Sequence, residues 1–178
     1  MPVLVAYASA HGSTREVAEH IAARLGRRGL DAVTAPLDTD PDPCPWQAVV
    51  LGSAVHDGAW LPPAEAYVRR RGAALRGRPV WMFSVGMSAA LPRPLRRLAS
   101  RAEQPPIARL VTVVRPREHR RFSGVIRRDQ LDRRGRVVFR LLGCRYGDHR
   151  DWPGIDAWAD AVAAHLTGTD TTTGRRTP

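Results

Sequence analysis

The 178-residue chain contains no lysine and no asparagine, and it has only two cysteines. Without lysine there can be no G-x-x-x-x-G-K-[ST] loop, which excludes a P-loop nucleotide hydrolase. Cys44 and Cys144 are far apart and belong to no Cys/His cluster with zinc-ligand spacing. Neither a disulfide scaffold nor a structural metal centre is therefore expected, and a reducing cytosol fits best. The longest nearly apolar runs, such as Ala48 to Val55, fall well short of the roughly 18 to 20 residues of a membrane-spanning helix. No basic segment precedes an apolar one at the N-terminus, so the expectation is a cytoplasmic protein. With 43% apolar residues, the chain suits one globular domain around a single buried core.

All 28 basic side chains are arginines, and the net charge is +11. With Ala, Val and Pro abundant, the choice of Arg reflects codon composition, but its distribution carries information. Residues 1–64 hold 4 Arg against 7 acids, residues 65–150 hold 22 against 6, and residues 151–178 hold 2 against 4. A basic middle between mildly acidic ends implies an anionic partner: a phospholipid surface, nucleic acid, an acidic protein or a carboxylate-bearing substrate. No nucleic-acid-binding module accompanies the Arg-rich middle, and it lacks interleaved aromatics, so nucleic acid is not expected.

Val3 to Ala8 is a continuous apolar, partly β-branched run, as in a strand buried on both faces of a parallel sheet. Val17, Ile21, Ala22 and Leu25 then recur at helical spacing, with Ser13 as the expected N-cap, Glu16 three residues on, and Gly26 and Gly29 as the stop. Asp31–Pro36 is a second strand, Asp38–Pro45 a loop, and Ala48–Ser53 a third strand. A helix over about Pro62–Leu75 leads to the strand Val80–Val85. This alternation predicts a three-layer α/β domain with a parallel sheet and right-handed crossovers. Ile107–Val114 reads as a strand by propensity, and Phe122–Ile126 competes with it for the fifth position. A basic amphipathic segment follows, with a helix expected from about Val137. Asp151 caps a final helix with an early Pro153 and an apolar face of Ile155, Trp158, Val162 and Leu166. The Thr-rich stretch 167–178 is expected to be disordered.

Ligands of open parallel sheets bind beyond the carboxyl ends of the strands. The first such loop, Ser9-Ala10-His11-Gly12-Ser13-Thr14, places three hydroxyls and a glycine at a helix N-terminus, where backbone N–H groups and the helix dipole favour an anion. Its single glycine is not the G-x-G-x-x-G of dinucleotide folds, and no acidic pair follows the first strand as a receiver domain requires. The pattern that remains is a phosphate monoester held by hydroxyls. The second loop, Ser53 to Trp60, and the third, Ser84 to Ser88, have small residues for close backbone approach, and Trp60 is available to lie against a flat ring.

Tyr7-Ala8-Ser9-Ala10-His11-Gly12-Ser13-Thr14 resembles the FMN phosphate loop of flavodoxins, and Gly52-Ser53-Ala54-Val55-His56-Asp57-Gly58 stands in the place of their first isoalloxazine loop. Within that superfamily the chain is most similar to the flavodoxin-domain, oxygen-independent protoporphyrinogen IX dehydrogenases. The stretches behind this likeness are Arg117-Glu118-His119-Arg120-Arg121-Phe122-Ser123-Gly124 and Gly147-Asp148-His149-Arg150-Asp151-Trp152. The similarity runs over residues 3–166 and implies a flavodoxin-like sandwich whose five-stranded parallel sheet has the order 2-1-3-4-5. Residues 1–166 would form the FMN-binding domain, with 127–147 as a basic insert. Ile107–Val114 would move to a helical connection, and Glu118–Ile126 would be the fifth strand.

The resemblance implies FMN as cofactor. Ser9, Ala10, His11, Gly12, Ser13 and Thr14 would hold its phosphate, while Ser53, Ala54, Val55, His56, Asp57, Gly58, Ser84, Val85, Gly86 and Met87 would surround its ring. No protein group is expected to act as a catalytic residue, and no metal is expected. Two positions depart from the pattern: His11 replaces a usual acidic or polar residue, and Asp57 stands where the dehydrogenase branch tends to carry an aromatic. The implied activity is electron transfer from a porphyrinogen-like or other small reductant to a quinone. The Arg127–Arg145 segment would dock on an anionic membrane surface or on substrate propionates. An FMN electron carrier and an NAD(P)H:quinone reductase are the alternatives.

Overall fold

Val3, Leu4, Val5 and Ala6 are all completely buried, because β1 (Pro2–Ala8) lies between two parallel neighbours, β2 (Asp31–Pro36) and β3 (Ala48–His56). The computed structural model describes residues 1–86, 104–126 and 146–168. Beyond β3 the sheet continues through β5 (Val80–Gly86) to β6 (Glu118–Ser123), all in parallel register. A two-residue strand, β4 (Ala59–Trp60), turns back antiparallel on the end of β3. The parallel strands therefore run in the expected flavodoxin-like order 2-1-3-4-5 when counted without β4.

Helices cover both faces, which is why the central strands β1, β3 and β5 are largely apolar rather than alternating, while the edge strands β2 and β6 carry polar residues. On one face Val3, Val5, Trp81 and Phe83 pack with Val17, Ile21 and Leu25 of α1 (Ser13–Arg27) and with Ile155, Trp158 and Val162 of the last helix (Trp152–Thr167). On the other, Leu4, Leu51 and Met82 meet Tyr67, Val68 and Leu75 of α2 (Pro62–Arg76) and Ile107 and Val114 of α3 (Pro105–Val114). The last helix, α4, is clasped to α1 by Arg24 and Arg28, which both reach Asp160 at 2.6 and 2.5 Å, and by His20, 2.8 Å from Asp156.

Several local expectations are corrected. Gly12, not Ser13, is the N-cap residue of α1, and no side chain caps this helix. Gly26 is helical, and the chain turns only at Gly29, where φ is 82°. The β-branched stretch Val111–Val114 is helical, as the family resemblance implies and local propensity does not. Pro105 and Pro106 start α3, and burial of Ile107 and Val114, two turns apart, favours the helix. The fifth parallel strand stops at Ser123. Val125–Ile126 then forms β7, paired antiparallel with β8 (Gly147–Asp148) in a separate two-stranded unit. Asp151 caps α4 as expected, accepting the Gly154 N–H at 3.1 Å, but that helix includes Thr167. The helix expected from Val137, the 127–145 part of the basic insert and the 169–178 part of the tail lie outside the described residues. Among the described residues no helix is long and apolar enough to cross a membrane.

Candidate functional site

Strand register brings the three loops together. Ala8 pairs with Ser53, Ser53 with Ser84, and Ala54 with Val85, so β1, β3 and β5 end side by side. The first loop turns through Gly12, whose φ of 88° is a left-handed conformation that favours glycine. Its N–H donates to Ser9 Oγ at 3.0 Å, which fixes the bend between β1 and α1. With no side chain capping it, the first turn of α1 presents N–H groups that lack intrahelical acceptors. Thr14 is fully buried within that turn, and its Oγ1 has no hydrogen-bond partner. A buried hydroxyl left unpaired destabilises by about 1–3 kcal/mol, so the turn holds a polar group in readiness for a ligand. Ser13 lies alongside, its Oγ 3.5 Å from where a side chain at Gly124 would begin; His11 is exposed and Ala10 completes the loop.

The segment expected as the second loop is a β-hairpin. Val55 pairs with Trp60 and His56 with Ala59, leaving Asp57 and Gly58 as a two-residue turn with φ of 46° and 80°. This is the Asp-Gly turn that matches the twist of antiparallel strands. His56 and Asp57 stand out into solvent, 80% and 93% exposed, with Nε2 and Oδ2 3.5 Å apart. Gln104 packs across the turn: a Cβ on Gly58 would lie 2.5 Å from its Oε1. Nothing in the local sequence points to Gln104, because it arrives from the far end of the third connection.

Trp60 does not offer a face to a flat ligand. It is 2% exposed, and its Nε1 donates to Ser84 Oγ at 2.7 Å. Ser84 Oγ also lies 2.8 Å from His119 Nε2. Ser53 Oγ accepts the Leu61 N–H at 3.1 Å and donates to the Ala54 carbonyl. The Ser53 and Ser84 hydroxyls thus face the protein interior, and these positions contribute backbone to the site. Val85 is buried, while Ala54, Val55 and Gly86 are partly exposed. Met87 lies outside the described residues.

Both later stretches close on the same edge. The Gly124 N–H donates to the Gly86 carbonyl at 2.9 Å, and the His149 N–H donates to the Gly124 carbonyl at 3.2 Å. Arg150 places Nε and a terminal nitrogen on the Asp148 carboxylate at 2.9 and 2.6 Å, and its other terminal nitrogen on Glu16 in the first turn of α1. Hydrogen bonding to Arg150 is the main reason the Asp148 carboxyl sits below its usual range. Sequence reasoning missed the partner of Glu16, which it assigned to capping; a contact between residues 16 and 150 leaves no local signal.

A family model described as "Flavodoxin domain" matches residues 4–151, and the chain belongs to that family. Solved structures share its fold. A point mutant of a flavodoxin from Pseudomonas aeruginosa is 19% identical over 94% of this chain and 100% of that one, with a TM-score of 0.61. Flavodoxin 2 from Bacillus cereus is 16% identical over 93% and 99%, with a TM-score of 0.59. Rubredoxin oxygen:oxidoreductase from Desulfovibrio gigas is 13% identical over 96% of this chain but 37% of its own, with a TM-score of 0.62. No curated protein matches the chain in sequence. Family membership implies FMN as the cofactor, and the first loop fits its phosphate: an uncapped helix end, a left-handed Gly12 and the unpartnered Thr14 hydroxyl converge there.

Proposed function

We propose that this flavodoxin-family protein is an FMN-dependent oxidoreductase with a substrate of its own, of the protoporphyrinogen dehydrogenase type, and that a quinone accepts its electrons. The observation that carries this reading is where the Arg-rich segment starts and returns. Residues 127–145 include seven arginines, and their flanks, Val125–Ile126 and Gly147–Asp148, are paired with each other beside the cofactor loops. The flanks thus enter and leave the described fold next to Gly86, which supports a role for the arginine-rich segment in taking an anionic substrate. Guanidinium groups suit the propionates of a tetrapyrrole precursor, which they can grip through paired N–H donors. The same charges favour an anionic lipid surface, from which a membrane quinone is accessible.

When bound, FMN would supply the two-electron redox chemistry between the reduced substrate and the quinone. The chain's own residues bind and orient. The α1 N-terminus, Ser9, Ser13 and Thr14 would hold the phosphate, and the Val55–Gly58 backbone would border the ring. Trp60, buried and bonded to Ser84, supports the hairpin from below. A simple electron carrier is the weaker reading, since carriers of this fold are typically acidic to meet basic reductases and this chain is +11.

The decisive measurement is anaerobic: protoporphyrinogen IX should bleach the flavin spectrum, and a menaquinone analogue should restore it. A flavin that stays oxidised with porphyrinogen but turns over with NAD(P)H and quinone would make the protein a quinone reductase. Turnover with neither would leave a carrier. Salt-sensitive binding to anionic but not neutral vesicles would support the membrane arm of the proposal.

A further inference from the structure

Glu16 lies in the first turn of α1, two residues past Thr14. A free carboxylate at that position is drawn towards the positive end of its own helix, where it competes with a phosphate for the same N–H groups and repels it. The phosphate loop itself has no lysine or arginine between Ser9 and Thr14 to offset that charge. Arg15, the next residue, is 56% exposed and lies 3.7 Å from Glu19. Arg150 is the cation that meets Glu16. Its side chain is 10% exposed, oriented by a two-point contact with Asp148 and stacked with its guanidinium carbon 4.6 Å from the centre of the Trp152 ring. Trp152 is in turn seated on α1, its ring 4.6 Å from that of His20. The guanidinium is thus held by three groups and has little freedom to leave Glu16.

We propose that Arg150 is a positioning residue for the phosphate end of the FMN site: it holds the Glu16 carboxylate away from the α1 N-terminus and offsets its charge, so that a flavin with a terminal phosphate is favoured over one without. The proposal rests on FMN being the cofactor of this loop. It also gives the Asp148, Arg150 and Trp152 side chains a role at the site beside the backbone contact of His149. Asp148 orients Arg150, and Trp152 supports it from below.

The test is titration of the apoprotein with FMN and with riboflavin, which share the ring and differ in the phosphate. Arg150→Gln should weaken FMN binding about five- to tenfold, the effect of an uncompensated charge near a helix end, and leave riboflavin binding unchanged. Arg150→Lys should keep most of the FMN affinity, and Glu16→Gln combined with Arg150→Gln should restore it to within about twofold. Equal losses of FMN and riboflavin, no loss of FMN, or no rescue by Glu16→Gln would each overturn the proposal. Should Arg150→Gln not fold, Glu16→Gln alone decides: unchanged or tighter FMN binding supports the proposal, whereas weaker binding means that Glu16 itself holds the cofactor. A native protein that binds riboflavin as tightly as FMN would overturn the cofactor reading itself, an outcome distinct from any of these.

Discussion

Trp60 Nε1 donates a 2.7 Å hydrogen bond to Ser84 Oγ, and both residues are buried. This bond ties the returning strand of the Asp57-Gly58 hairpin to β5, the strand that ends in the third loop. The hairpin and the end of β5, two of the three loops of the candidate site, are therefore set relative to each other from beneath.

Ser84→Ala removes the acceptor and leaves the Trp60 N–H buried without a partner, which should destabilise the protein by about 1–3 kcal/mol. In the Trp60→Phe background the same change should be milder, because the Trp60 donor is no longer there to be left unpaired and only the Ser84–His119 contact is lost. Urea denaturation of the four proteins gives the coupling directly, expected at about 1 kcal/mol. Strictly additive effects would mean that the bond does not hold the hairpin.

Thr14→Val should have opposite effects on apoprotein and complex. Without FMN the variant loses a buried, unpartnered hydroxyl and should be as stable as the native chain or more so. FMN affinity should fall by about 1–3 kcal/mol through loss of a charge-assisted hydrogen bond. Apoprotein melting and FMN titration are the two measurements; a destabilised apoprotein would show that the hydroxyl already has a role in the fold.

Gly52→Ala should be severe although glycine at this position has no unusual backbone angle. A Cβ there would lie 1.9 Å from Phe83 Cζ and within 2.4 Å of two further ring carbons. Phe83 is fully buried, so the clash cannot be relieved towards solvent. A loss of about 2–3 kcal/mol is expected, partly recovered by adding Phe83→Leu, and measurable as a shift in the urea midpoint.

Asp160 makes the α1–α4 clasp dependent on pH. Hydrogen bonds from Arg24 and then Arg28 hold its carboxyl well below the ordinary 3.8. A carboxylate whose pKa is depressed by folding stabilises the native state above its unfolded value and loses that contribution as pH falls towards its folded value. Asp160→Asn should therefore cost about 1 kcal/mol at pH 7, a modest figure because the carboxylate is 24% exposed and screened by salt. The gap from the native protein should close as pH drops below about 4. A gap that is constant with pH would assign the effect to packing instead.

Much of the architecture was legible because it is encoded within a few residues of itself. Val3–Ala8 and Ala48–Ser53 are apolar without alternation since both faces of each strand are covered, and such runs mark a parallel sheet without reference to a partner. Val17, Ile21 and Leu25 mark the buried face of α1 by spacing alone. Ser9–Thr14 stood out as the candidate phosphate loop because a hydroxyl-rich turn between a strand and a helix has a restricted set of chemical uses.

The amino-acid sequence alone determined the layer architecture, the strand order through its resemblance, the turn between β1 and α1 and the Asp151 cap of α4, because each depends on periodicity, on neighbours in the chain or on the family likeness. For Val111–Val114 local propensity pointed to strand and the resemblance to helix, and the structure decided for helix; only the structure showed that Trp60 faces the core, that Thr14 is left without a partner and that Glu16 belongs to Arg150. Local preferences for helix or strand differ by about 1 kcal/mol or less per residue, whereas burying one large apolar side chain contributes about 1.5–3 kcal/mol. Where these compete, the distant surface a residue packs against prevails, and that surface exists only once the chain has folded.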